Sequence, residues 1–520
     1  MFHSNNLKNH TRRRVGLILT PLVLMAVVIV VPAPRAFTAM KPAVNVPPPA
    51  IWSAPVNLGP VINSTANDQQ PAISPDGLSL YFTSNRVAGS LGGFDMYVLQ
   101  RASVFDAWGP PVNLGPALNT AADEGNAAFS RDGHLLFFQS KRLPSFGGID
   151  IFVAHRNNPH DDFDWQPAVN LGPGVNSSID DQGPYYFEDE VRGTRQLFFA
   201  TSGRPGGLGG NDIYLSEQMA DGSFAPATPV TELSSISNES DPAIRNDGLE
   251  IFFHSNRAGS TGTALDLWTA TRASTLDAWS TPVNLGSAIN TTSAEQNAYL
   301  SSDGMTLFFA SDRSPGGSGL LDLYASTRTL PTVRSKNISV PADDSCAANI
   351  NPSDVDDGSF DPVNGGPLTL SLDPASAGPF GLGEHTVRLI ATDDRGQTNS
   401  AIAIVTVVDQ TPPVINGASV DKPTLWPPNH QMIDVTVNYT TTDNCGGSEA
   451  GLDVSSNEAI NGTGDGDTAP DWEIVDAHHV RLRAERSGQG SGRIYTITIT
   501  ASDSHGNTSS QTVTVGVPHN

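Results

Sequence analysis

The sequence predicts an all-β protein in which a repeated four-strand unit is followed by two β-sandwich domains. One motif is written five times between Trp52 and Arg328, with a period near 56 residues. Each copy holds several short apolar runs separated by turn residues, the pattern of short strands joined by tight connections. The 520-residue chain also contains 49 glycines and 39 prolines, which suits turn-rich β structure better than helix.

The first copy shows the whole motif. It runs from Gln-Pro-Ala-Ile-Ser-Pro-Asp-Gly at Gln70 through Ser-Asn-Arg at Arg86 to Gly-Gly-Phe-Asp-Met-Tyr at Tyr97. A Trp-x-x-Pro-Val-Asn-Leu-Gly segment beginning at Trp108 supplies the fourth strand. One copy cannot bury its own apolar face, so the copies must pack as a radial or stacked array. A residue that recurs in every copy is therefore explained more simply by the fold than by a binding site.

The ends of the repeat region predict circular closure. A fourth-strand segment, Trp52 to Gly59, precedes the first copy, whereas the fifth copy ends at Arg328 without one. If the N-terminal segment completes the last unit, no sheet edge is left free. Five copies then give a five-bladed β-propeller.

The Ser-Pro-Asp-Gly and Ser-Asn-Arg…Gly-Gly-x-Asp-x-Tyr signatures resemble the TolB-like, WD-type propeller repeats of exported bacterial proteins. The resemblance covers residues 51–330 and implies a β-propeller there. Six blades are usual in that family, so six blades is the alternative to the count of five.

The sequence pattern in the C-terminal part of the chain differs from that of the repeats. Residues 335–410 alternate in polarity and end at Asp409-Gln410-Thr411-Pro412-Pro413, which resembles a hyalin-repeat or related immunoglobulin-like module, and residues 411–520 resemble a second immunoglobulin-like sandwich. Each part holds one cysteine, Cys346 or Cys445. In such modules the partner cysteine lies on a late strand, where this chain has Ser400 and Ala501. Both thiols are therefore expected to be free, since a bridge would have to cross between the two modules.

The N-terminus predicts export. Arg12-Arg13-Arg14 precede an apolar run from Val15 to Val31, and small residues follow it, which indicates a signal peptide over residues 1–39. The run is near the lower limit for a spanning helix, so an uncleaved anchor is the alternative. Residues 40–50 form a proline-rich spacer. The expected location is secreted, periplasmic or cell-surface.

The charge excludes one class of partner. The net charge is −25, and no basic stripe could supply the counterion release on which nucleic-acid binding depends. Neither a Gly-x-Ser-x-Gly elbow nor a His-Glu-x-x-His motif occurs in the sequence. The propeller is thus expected to bind a protein or glycan ligand, as a monomer.

A row of acids recurs near the start of each copy, and two interpretations are open for it. Five acids at one mouth could bind calcium, since calcium takes several oxygen ligands. Pairing with the five recurrent arginines, which would lock neighbouring blades, is the preferred interpretation. Two acids of the C-terminal modules are further calcium candidates; no other cofactor is expected. The calcium candidates are Asp68, Glu124, Asp181, Glu239, Glu295, Asp393 and Asp409.

These observations predict an exported, non-catalytic binding or scaffold protein, with the C-terminal modules as adhesion or spacer elements. The alternative is a secreted carbohydrate-active enzyme of glycosidase type that uses carboxylates at the propeller channel. Asp123, Asp180 and Asp241 are candidates outside the recurrent rows, and nothing in the sequence singles out one of them.

Overall fold

A computed structural model describes residues 52–261, 264–314, 317–363, 365–373, 378–460 and 469–519. The predicted signal peptide (1–39) and the proline-rich spacer (40–50) lie outside the described residues. Within those ranges, no helix is both long and apolar enough to span a bilayer.

The described chain is all-β apart from one short helix, α1 (Pro352–Val355). The repeat region contains twenty strands. They are β1 (Val56–Asn57), β2 (Asp68–Ile73), β3 (Ser79–Ser84), β4 (Asp95–Gln100), β5 (Val112–Asn113), β6 (Glu124–Phe129), β7 (Leu135–Ser140), β8 (Asp150–His155), β9 (Val169–Asn170), β10 (Asp181–Asp189), β11 (Thr194–Ser202), β12 (Asn211–Glu217), β13 (Thr228–Pro229), β14 (Glu239–Ile244), β15 (Glu250–Ser255), β16 (Asp266–Thr271), β17 (Val283–Asn284), β18 (Glu295–Leu300), β19 (Thr306–Ser311) and β20 (Asp322–Thr327).

These strands form a closed ring of four-stranded antiparallel sheets. In the described part of the chain the sheet orders are β2-β3-β4-β5, β6-β7-β8-β9, β10-β11-β12-β13, β14-β15-β16-β17 and β18-β19-β20-β1. We number these five sheets 1 to 5 in that order. The first strand of each sheet contacts the first strand of the next, and β18 of sheet 5 contacts β2 of sheet 1. The inner strands thus surround a central axis, which is the arrangement of a β-propeller.

The predicted closure is formed. β1 is the outer strand of sheet 5 and pairs antiparallel with β20, with Val56 opposite Ala325. The pairing extends beyond the strand, because the Ser53 N–H donates to the Thr327 carbonyl at 2.8 Å. The Trp52 ring meets the Phe252 ring edge-on at 6.0 Å. Sheet 5 is therefore completed by the N-terminal segment of the ring.

The second strand of each sheet is buried on both faces, because sheets pack against it from either side. Every residue of β3 and β15 is buried. Their sequences therefore contain a continuous apolar run and do not alternate between apolar and polar residues. One aromatic position recurs in all five sheets and forms the centre of each. It is occupied by Phe82, Phe138, Phe199, Phe253 and Phe309.

Two smaller β units follow the ring, each with its own core. The first is centred on Val387 and Val405, and the second on Val435 and Tyr495. Their strands are β21 (Ile338–Pro341), β22 (Ala347–Ala348), β23 (Thr369–Asp373), β24 (Phe380–Gly381), β25 (Gly383–Thr392), β26 (Thr398–Val408), β27 (Val414–Val420), β28 (Met432–Thr442), β29 (Ser448–Ser456), β30 (Trp472–Ile474), β31 (His479–Arg483), β32 (Gly492–Asp503) and β33 (Thr508–Pro518).

The sheets of the two units pair locally. In the first unit the orders are β21-β26-β25-β23 and β22-β24, and in the second they are β27-β28-β31-β30 and β29-β32-β33. β21 runs parallel to β26, whereas the other pairings within these sheets are antiparallel.

The prediction of two free thiols is wrong. Cys346 of the first unit and Cys445 of the second form a disulfide, and no free cysteine is present in the described residues. The positions of Ser400 and Ala501 bear only on bridges within a unit, and this bridge joins the two units. The Asn444 side chain also donates to the Asp343 carbonyl at 3.2 Å, so the two turns that carry the cysteines are held together by more than the disulfide.

The ring and the first β unit meet through buried polar groups. Arg245, at the end of the inner strand of sheet 4, donates to the Thr398 carbonyl and hydroxyl at 2.8 and 2.9 Å. The Ser400 hydroxyl donates to Asp247 at 3.1 Å. Arg245 and Asp247 are buried and form a bidentate pair with each other. This contact fixes the first unit against one side of the ring.

Candidate active site at the centre of the ring

The five acids of the recurrent row are buried and paired with the recurrent arginines. Each is the first residue of an inner strand and is at most 1% exposed. The shortest nitrogen–oxygen distances are 2.5 Å for Arg86–Asp68, 3.4 Å for Arg142–Glu124, 2.7 Å for Arg204–Asp181, 3.1 Å for Arg257–Glu239 and 3.1 Å for Arg313–Glu295.

The pairs hold each sheet to the segment that enters it. Glu239 illustrates the pattern: it accepts the Ser235 N–H and hydroxyl four residues upstream and the Ser255 hydroxyl from the next strand. Its arginine, Arg257, lies over the Phe253 ring and also donates to the Leu233 carbonyl. Arginine pairing was expected between neighbouring blades, but each pair lies within one sheet. The row is therefore a buried structural device, and calcium binding by it stays a prediction.

A second row, two residues further along each inner strand, faces the axis of the ring. We call it the channel row. Every member has a positive φ, between 51° and 60°, and lies at a shift in strand register. A bulge of this kind re-aims a side chain, and a positive φ is costly for residues other than glycine. The channel row consists of Gln70, Asn126, Gly183, Asp241 and Asn297.

Asp241 is the one carboxylate of the channel row. Its Oδ1 accepts the Asn126 amide at 3.0 Å from across the ring, and its Oδ2 accepts the Asn297 amide from the adjacent sheet. The His254 Nδ1 lies 3.5 Å from Oδ2. Asp241 is 9% exposed and has no arginine or lysine within ion-pair distance in the described part of the chain. Neutral amide donors hold this carboxylate at the centre of the ring.

Gly183 makes room for this carboxylate. A Cβ at that position would lie 2.2 Å from the Asp241 Oδ1, closer than carbon and oxygen can approach. The φ of +60° at Gly183 also favours glycine. The one glycine of the channel row therefore sits against its one acid.

His254 is neutral at neutral pH. Burial lowers its pKa, while the charges of Asp241 and Glu239 oppose that shift without overcoming it. The imidazole is 8% exposed and accompanies the carboxylate without adding a positive charge to it.

A polar cavity of about 190 Å³ opens beside this centre. Gln139 lines this cavity and also contacts the channel row. Its Oε1 accepts the Asn126 amide at 3.0 Å and the Gly183 N–H at 2.9 Å. Amide, hydroxyl, carboxylate and ammonium groups line the cavity together with one aromatic ring. The lining includes Gln69, Gln70, Thr83, Phe94, Asp123, Gln139 and Lys141.

Asp123 is the second carboxylate of this region. Its Oδ2 accepts the Lys141 ammonium at 2.8 Å, and its Oδ1 accepts the Phe94 N–H at 3.0 Å. The hydrogen bond from Lys141 is the main cause that lowers the pKa of Asp123, with burial opposing it. Asp123 is thus ionised throughout the neutral range.

Of the three non-recurrent candidates, the structure distinguishes Asp241. Asp123 and Asp180 both accept a backbone N–H from the loop of the preceding sheet, as Asn238 does in sheet 4. Those three positions share that backbone contact, whereas no other member of the channel row is an acid. The sequence contained this signal, because the residue two places after each row acid changes from copy to copy. The bulge that turns it to the axis leaves no sequence signature.

The two remaining calcium candidates lie in small acidic clusters of the β units. Asp393 lies with Asp361 and Asp394, and Arg395 binds it at 2.7 Å. Asp409 lies with Asp503 and His505, its Oδ2 being 3.2 Å from the imidazole. Calcium at either place stays a prediction.

No protein-family model matches the sequence, and no curated protein matches it. Solved structures match the fold. The α-L-arabinofuranosidase of Podospora anserina, solved with cellotriose, is 11% identical, with 54% of this chain and 98% of that chain covered and a TM-score of 0.35. For the GH43_1 enzyme of Xanthomonas citri the values are 16%, 54%, 91% and 0.35. For a GH43 β-xylosidase/α-arabinofuranosidase from a compost metagenome they are 15%, 54%, 96% and 0.34.

These structures are glycoside hydrolases, and they contradict the prediction of a non-catalytic binding or scaffold protein that is not an enzyme. The alternative derived from the sequence is a carbohydrate-active enzyme of glycosidase type. At TM-scores near 0.35 no catalytic residue and no substrate transfers to this chain. Any activity has to be argued from the channel residues themselves.

Proposed function

We propose that the ring is a carbohydrate-active enzyme of glycosidase type, with Asp241 as a catalytic carboxylate at its centre. The observation that carries the proposal is the isolation of Asp241 in the channel row. The positive φ recurs in all five sheets, but only sheet 4 places an acid there, buried, held by two amides and opposed by a glycine. Burying that acid is costly, and the other four sheets form without one. Costly features that the fold does not need are typical of functional sites.

The surroundings suit a sugar. Side-chain amides and hydroxyls that line the cavity, among them Gln69, Gln139 and Thr83, can both donate to and accept from sugar hydroxyls. Polar groups of this kind fix the orientation of a bound ligand, and the Phe94 ring supplies an aromatic wall. A glycan is therefore the ligand that we assign to this cavity.

Glycoside hydrolysis uses two carboxyl groups, one on each side of the scissile bond. Asp241 is the first, and we assign Asp123 as the second because it is ionised and lines the cavity beside Asp241. Gln139 of that cavity and Asp241 both accept the side-chain amide of Asn126. In that reaction a protonated carboxyl group gives its proton to the leaving oxygen, and an ionised one activates water or attacks the anomeric carbon. The ionised Asp123 suits the second role, which leaves the first to Asp241 in its protonated form. His254 is neutral and buried beside Asp241, so it adds no positive charge to that group.

The finer architecture belongs to the same proposal. The five closed sheets support a five-bladed propeller over residues 51–330, and the two separate cores support immunoglobulin-like modules over 335–410 and 411–520. With a signal peptide at residues 1–39, the enzyme would work as a monomer in the periplasm, at the cell surface or outside the cell. N-terminal sequencing of the protein from the periplasm or medium tests this, and an uncut Met1 in the cytosol contradicts it.

The activity is tested by a substrate screen of the full chain. Aryl glycosides of pentoses and hexoses in both anomeric forms, and short oligosaccharides, would be assayed for sugar release. We expect hydrolysis of at least one glycoside class, and a 10²- to 10⁴-fold lower rate for Asp241→Asn, the usual size of an acid–base contribution.

Asp277→Asn is the matched control, since Asp277 is exposed on an outer loop of sheet 4 and takes the same charge change. Its rate should equal that of the unchanged protein. Absence of hydrolysis across the screen, or an Asp241→Asn variant as active as Asp277→Asn, overturns the proposal.

A further inference from the structure

A second recurrent pair occupies the gaps between the sheets. An arginine that follows the third strand lies over an indole ring, and its Nε donates to a turn glycine carbonyl of the same sheet. Sheet 3 has Gln218 and Phe224 at these positions. The guanidinium-to-ring distances are 4.2 Å for Arg101–Trp108, 4.5 Å for Arg156–Trp165, 4.1 Å for Arg272–Trp279 and 4.6 Å for Arg328–Trp52.

Each pair faces the preceding sheet of the ring. Trp165 of sheet 2 donates its Nε1–H to the Tyr81 hydroxyl of sheet 1 at 3.0 Å. Trp52, in sheet 5 through closure, packs on Phe252 of sheet 4. By the same geometry Trp108 of sheet 1 faces sheet 5 across the seam where the ring closes, and Phe308 of sheet 5 borders that gap.

In two of these gaps a carboxylate binds the arginine. The two carboxylate oxygens of Glu250, in sheet 4, accept hydrogen bonds from the two terminal nitrogens of Arg328 at 3.0 and 2.7 Å. Asp162, from a segment of sheet 2 inserted before Trp165, accepts Arg156 at 3.1 Å. The Arg–Trp pair is thus a receptor for a carboxylate.

A third gap is covered by the first β unit. Arg272 donates to the Thr275 carbonyl at 3.4 Å, and the Thr275 N–H faces Asp373 of that unit at 3.5 Å. This arginine is therefore also shielded by other parts of the chain.

The gap at the seam, between sheet 5 and sheet 1, differs from these three gaps. Arg101 donates to the carbonyls of Gly77 and Val104, and within the described ranges no carboxylate lies at ion-pair distance from it. Thr306 occupies the place in sheet 5 that Glu250 occupies in sheet 4, since they pair with Thr327 and Thr271 respectively. A threonine cannot supply the missing charge.

The seam gap is also open. A groove of about 490 Å³ lies there, and Trp108 is partly exposed in its wall, whereas the indoles of the other three pairs are buried. Burial lowers the pKa of Arg101, but it stays far above neutral and the guanidinium is charged. In the described chain the Arg101 guanidinium lies over the Trp108 ring and no carboxylate lies at ion-pair distance from it, so the groove presents a cation without a counter-charge in direct contact.

We propose that this seam groove binds a uronic acid residue of a glycan. The sugar carboxylate takes the position that Glu250 and Asp162 take in the other gaps and pairs with Arg101. The Trp108 indole borders the apolar face of the sugar ring, and the Ser301 and Ser302 side of the groove meets its hydroxyls. The groove is a binding site separate from the Asp241 centre.

Two aspartates, Asp76 and Asp303, also line the seam groove. Asp76 contacts His160 at 3.0 Å in the inserted segment that brings Asp162 to Arg156. Because both acids repel an anionic ligand, the pairing with Arg101 has to outweigh them. The sugar nature of the ligand rests on the proposed function, whereas the carboxylate rests on the comparison of the gaps.

The test measures binding to the full chain carrying Asp241→Asn, so that no ligand is hydrolysed. Oligogalacturonate and a neutral galacto-oligosaccharide of equal length would be titrated by calorimetry. We expect saturable binding of the acidic oligosaccharide alone, weakened by raised salt. Arg101→Gln should weaken it at least tenfold, and sheet 3 shows with Gln218 that glutamine is tolerated at this position.

A gain-of-contact variant makes the test independent of folding defects. Thr306→Glu supplies the carboxylate that sheet 4 has, so it should raise the Tm and weaken oligogalacturonate binding at least tenfold. Thr306→Gln, of equal size without charge, should leave the Tm unchanged.

Four outcomes overturn the inference: no saturable binding, equal affinity for the neutral oligosaccharide, binding unaffected by Arg101→Gln and Thr306→Glu, or equal affinity for polyglutamate. Failure of the hydrolysis screen would bear on the proposed function and not on this binding. The two claims can therefore fail separately.

Discussion

At the scale of single residues, recurrence separates the fold from the site. In every sheet the acid of the recurrent row pairs with an arginine and accepts the N–H of the residue four places upstream, so Glu239 and its equivalents are explained by structure. The channel row keeps its backbone geometry in all five sheets but changes its side chains. Asp241 is the change that brings a carboxylate to the axis, and this is the reason for placing chemistry there.

The fit between Gly183 and Asp241 gives a test at this scale. Gly183→Ala should displace the carboxylate and reduce glycoside hydrolysis at least a hundredfold, because the new Cβ would lie 2.2 Å from the Asp241 Oδ1. Gly193→Ala is the matched control: its φ is +66° and nothing lies within 4 Å of a Cβ there. Both variants carry the strain of a positive φ, about 1 kcal/mol. Equal rates for the two, measured on folded protein, would contradict the placement of Asp241.

The row acids and the channel row differ in how far the sequence could predict them. Five acids and five arginines at matching periods predicted the pairing, because charges repeated at one spacing must meet in a repeated fold. The partner sheet was missed, since loop geometry decides whether Arg257 reaches its own sheet or the next one. Asp241 was a candidate among several, because a bulge adds one residue without changing the motif.

At the scale of elements, closure depends on a very short strand. β1 has two residues, yet it brings Trp52 under Arg328, and Arg328 in turn binds Glu250 of the adjacent sheet. The N-terminal segment thus joins sheets 4 and 5 as well as completing sheet 5. The fourth-strand segment that precedes the first copy predicted the pairing of β1 with β20. It did not predict the ion pair between Arg328 and Glu250.

Deleting residues 51–60 should open sheet 5 and remove the cooperative melting transition of the ring. The deletion exposes the edge of β20 and leaves Arg328 without its indole. Calorimetry measures the transition, and a synthetic peptide of residues 51–60 added in excess should restore it in part. A truncated protein with the transition of the full chain would rule closure out as a source of stability.

The disulfide shows where element-level reasoning from sequence stops. The bridge joins Cys346 and Cys445, which are 99 residues apart in two different β units. Neither module contains a second cysteine, so the pattern of one module alone offers no partner. The pairing depends on how the two units pack, which no periodicity encodes.

At the scale of the whole molecule, the buried pair of Arg245 and Asp247 joins the ring to the first β unit. Thr398 and Ser400 of that unit complete the hydrogen bonds of this pair. Ser400, considered in the sequence only as a missing cysteine, is thus an interface residue. Buried ion pairs of this kind require every polar atom to be satisfied, so the contact favours one fixed arrangement.

This interface should make stability depend on acid pH. Burial raises the pKa of Asp247, but the charge and hydrogen bonds of Arg245 outweigh it and lower the pKa from 3.8 to about 2. A depressed pKa in the folded state stabilises above the ordinary value, and that stability is lost as pH falls from about 4 to about 2. The loss is on the order of 2 kcal/mol. Urea unfolding at pH 5 and pH 2.5 measures it.

Asp247→Asn is the control for this pH dependence. It should lower the free energy of unfolding at pH 5 and lose less between pH 5 and pH 2.5 than the unchanged protein. An equal loss in both proteins would show that Asp247 does not carry the effect.

The central claim is that a residue of the channel row serves chemistry while the recurrent row serves the fold, and one paired measurement tests it. The kcat/KM and the free energy of unfolding would be determined for Asp241→Asn and Glu239→Gln, two residues apart on β14. We expect Asp241→Asn to lose at least a hundredfold in kcat/KM with about 1 kcal/mol of stability lost. Glu239→Gln should lose on the order of 3 kcal/mol of stability and keep its kcat/KM per folded molecule within a few-fold. Activity lost equally in both variants, or retained in Asp241→Asn, would contradict the account.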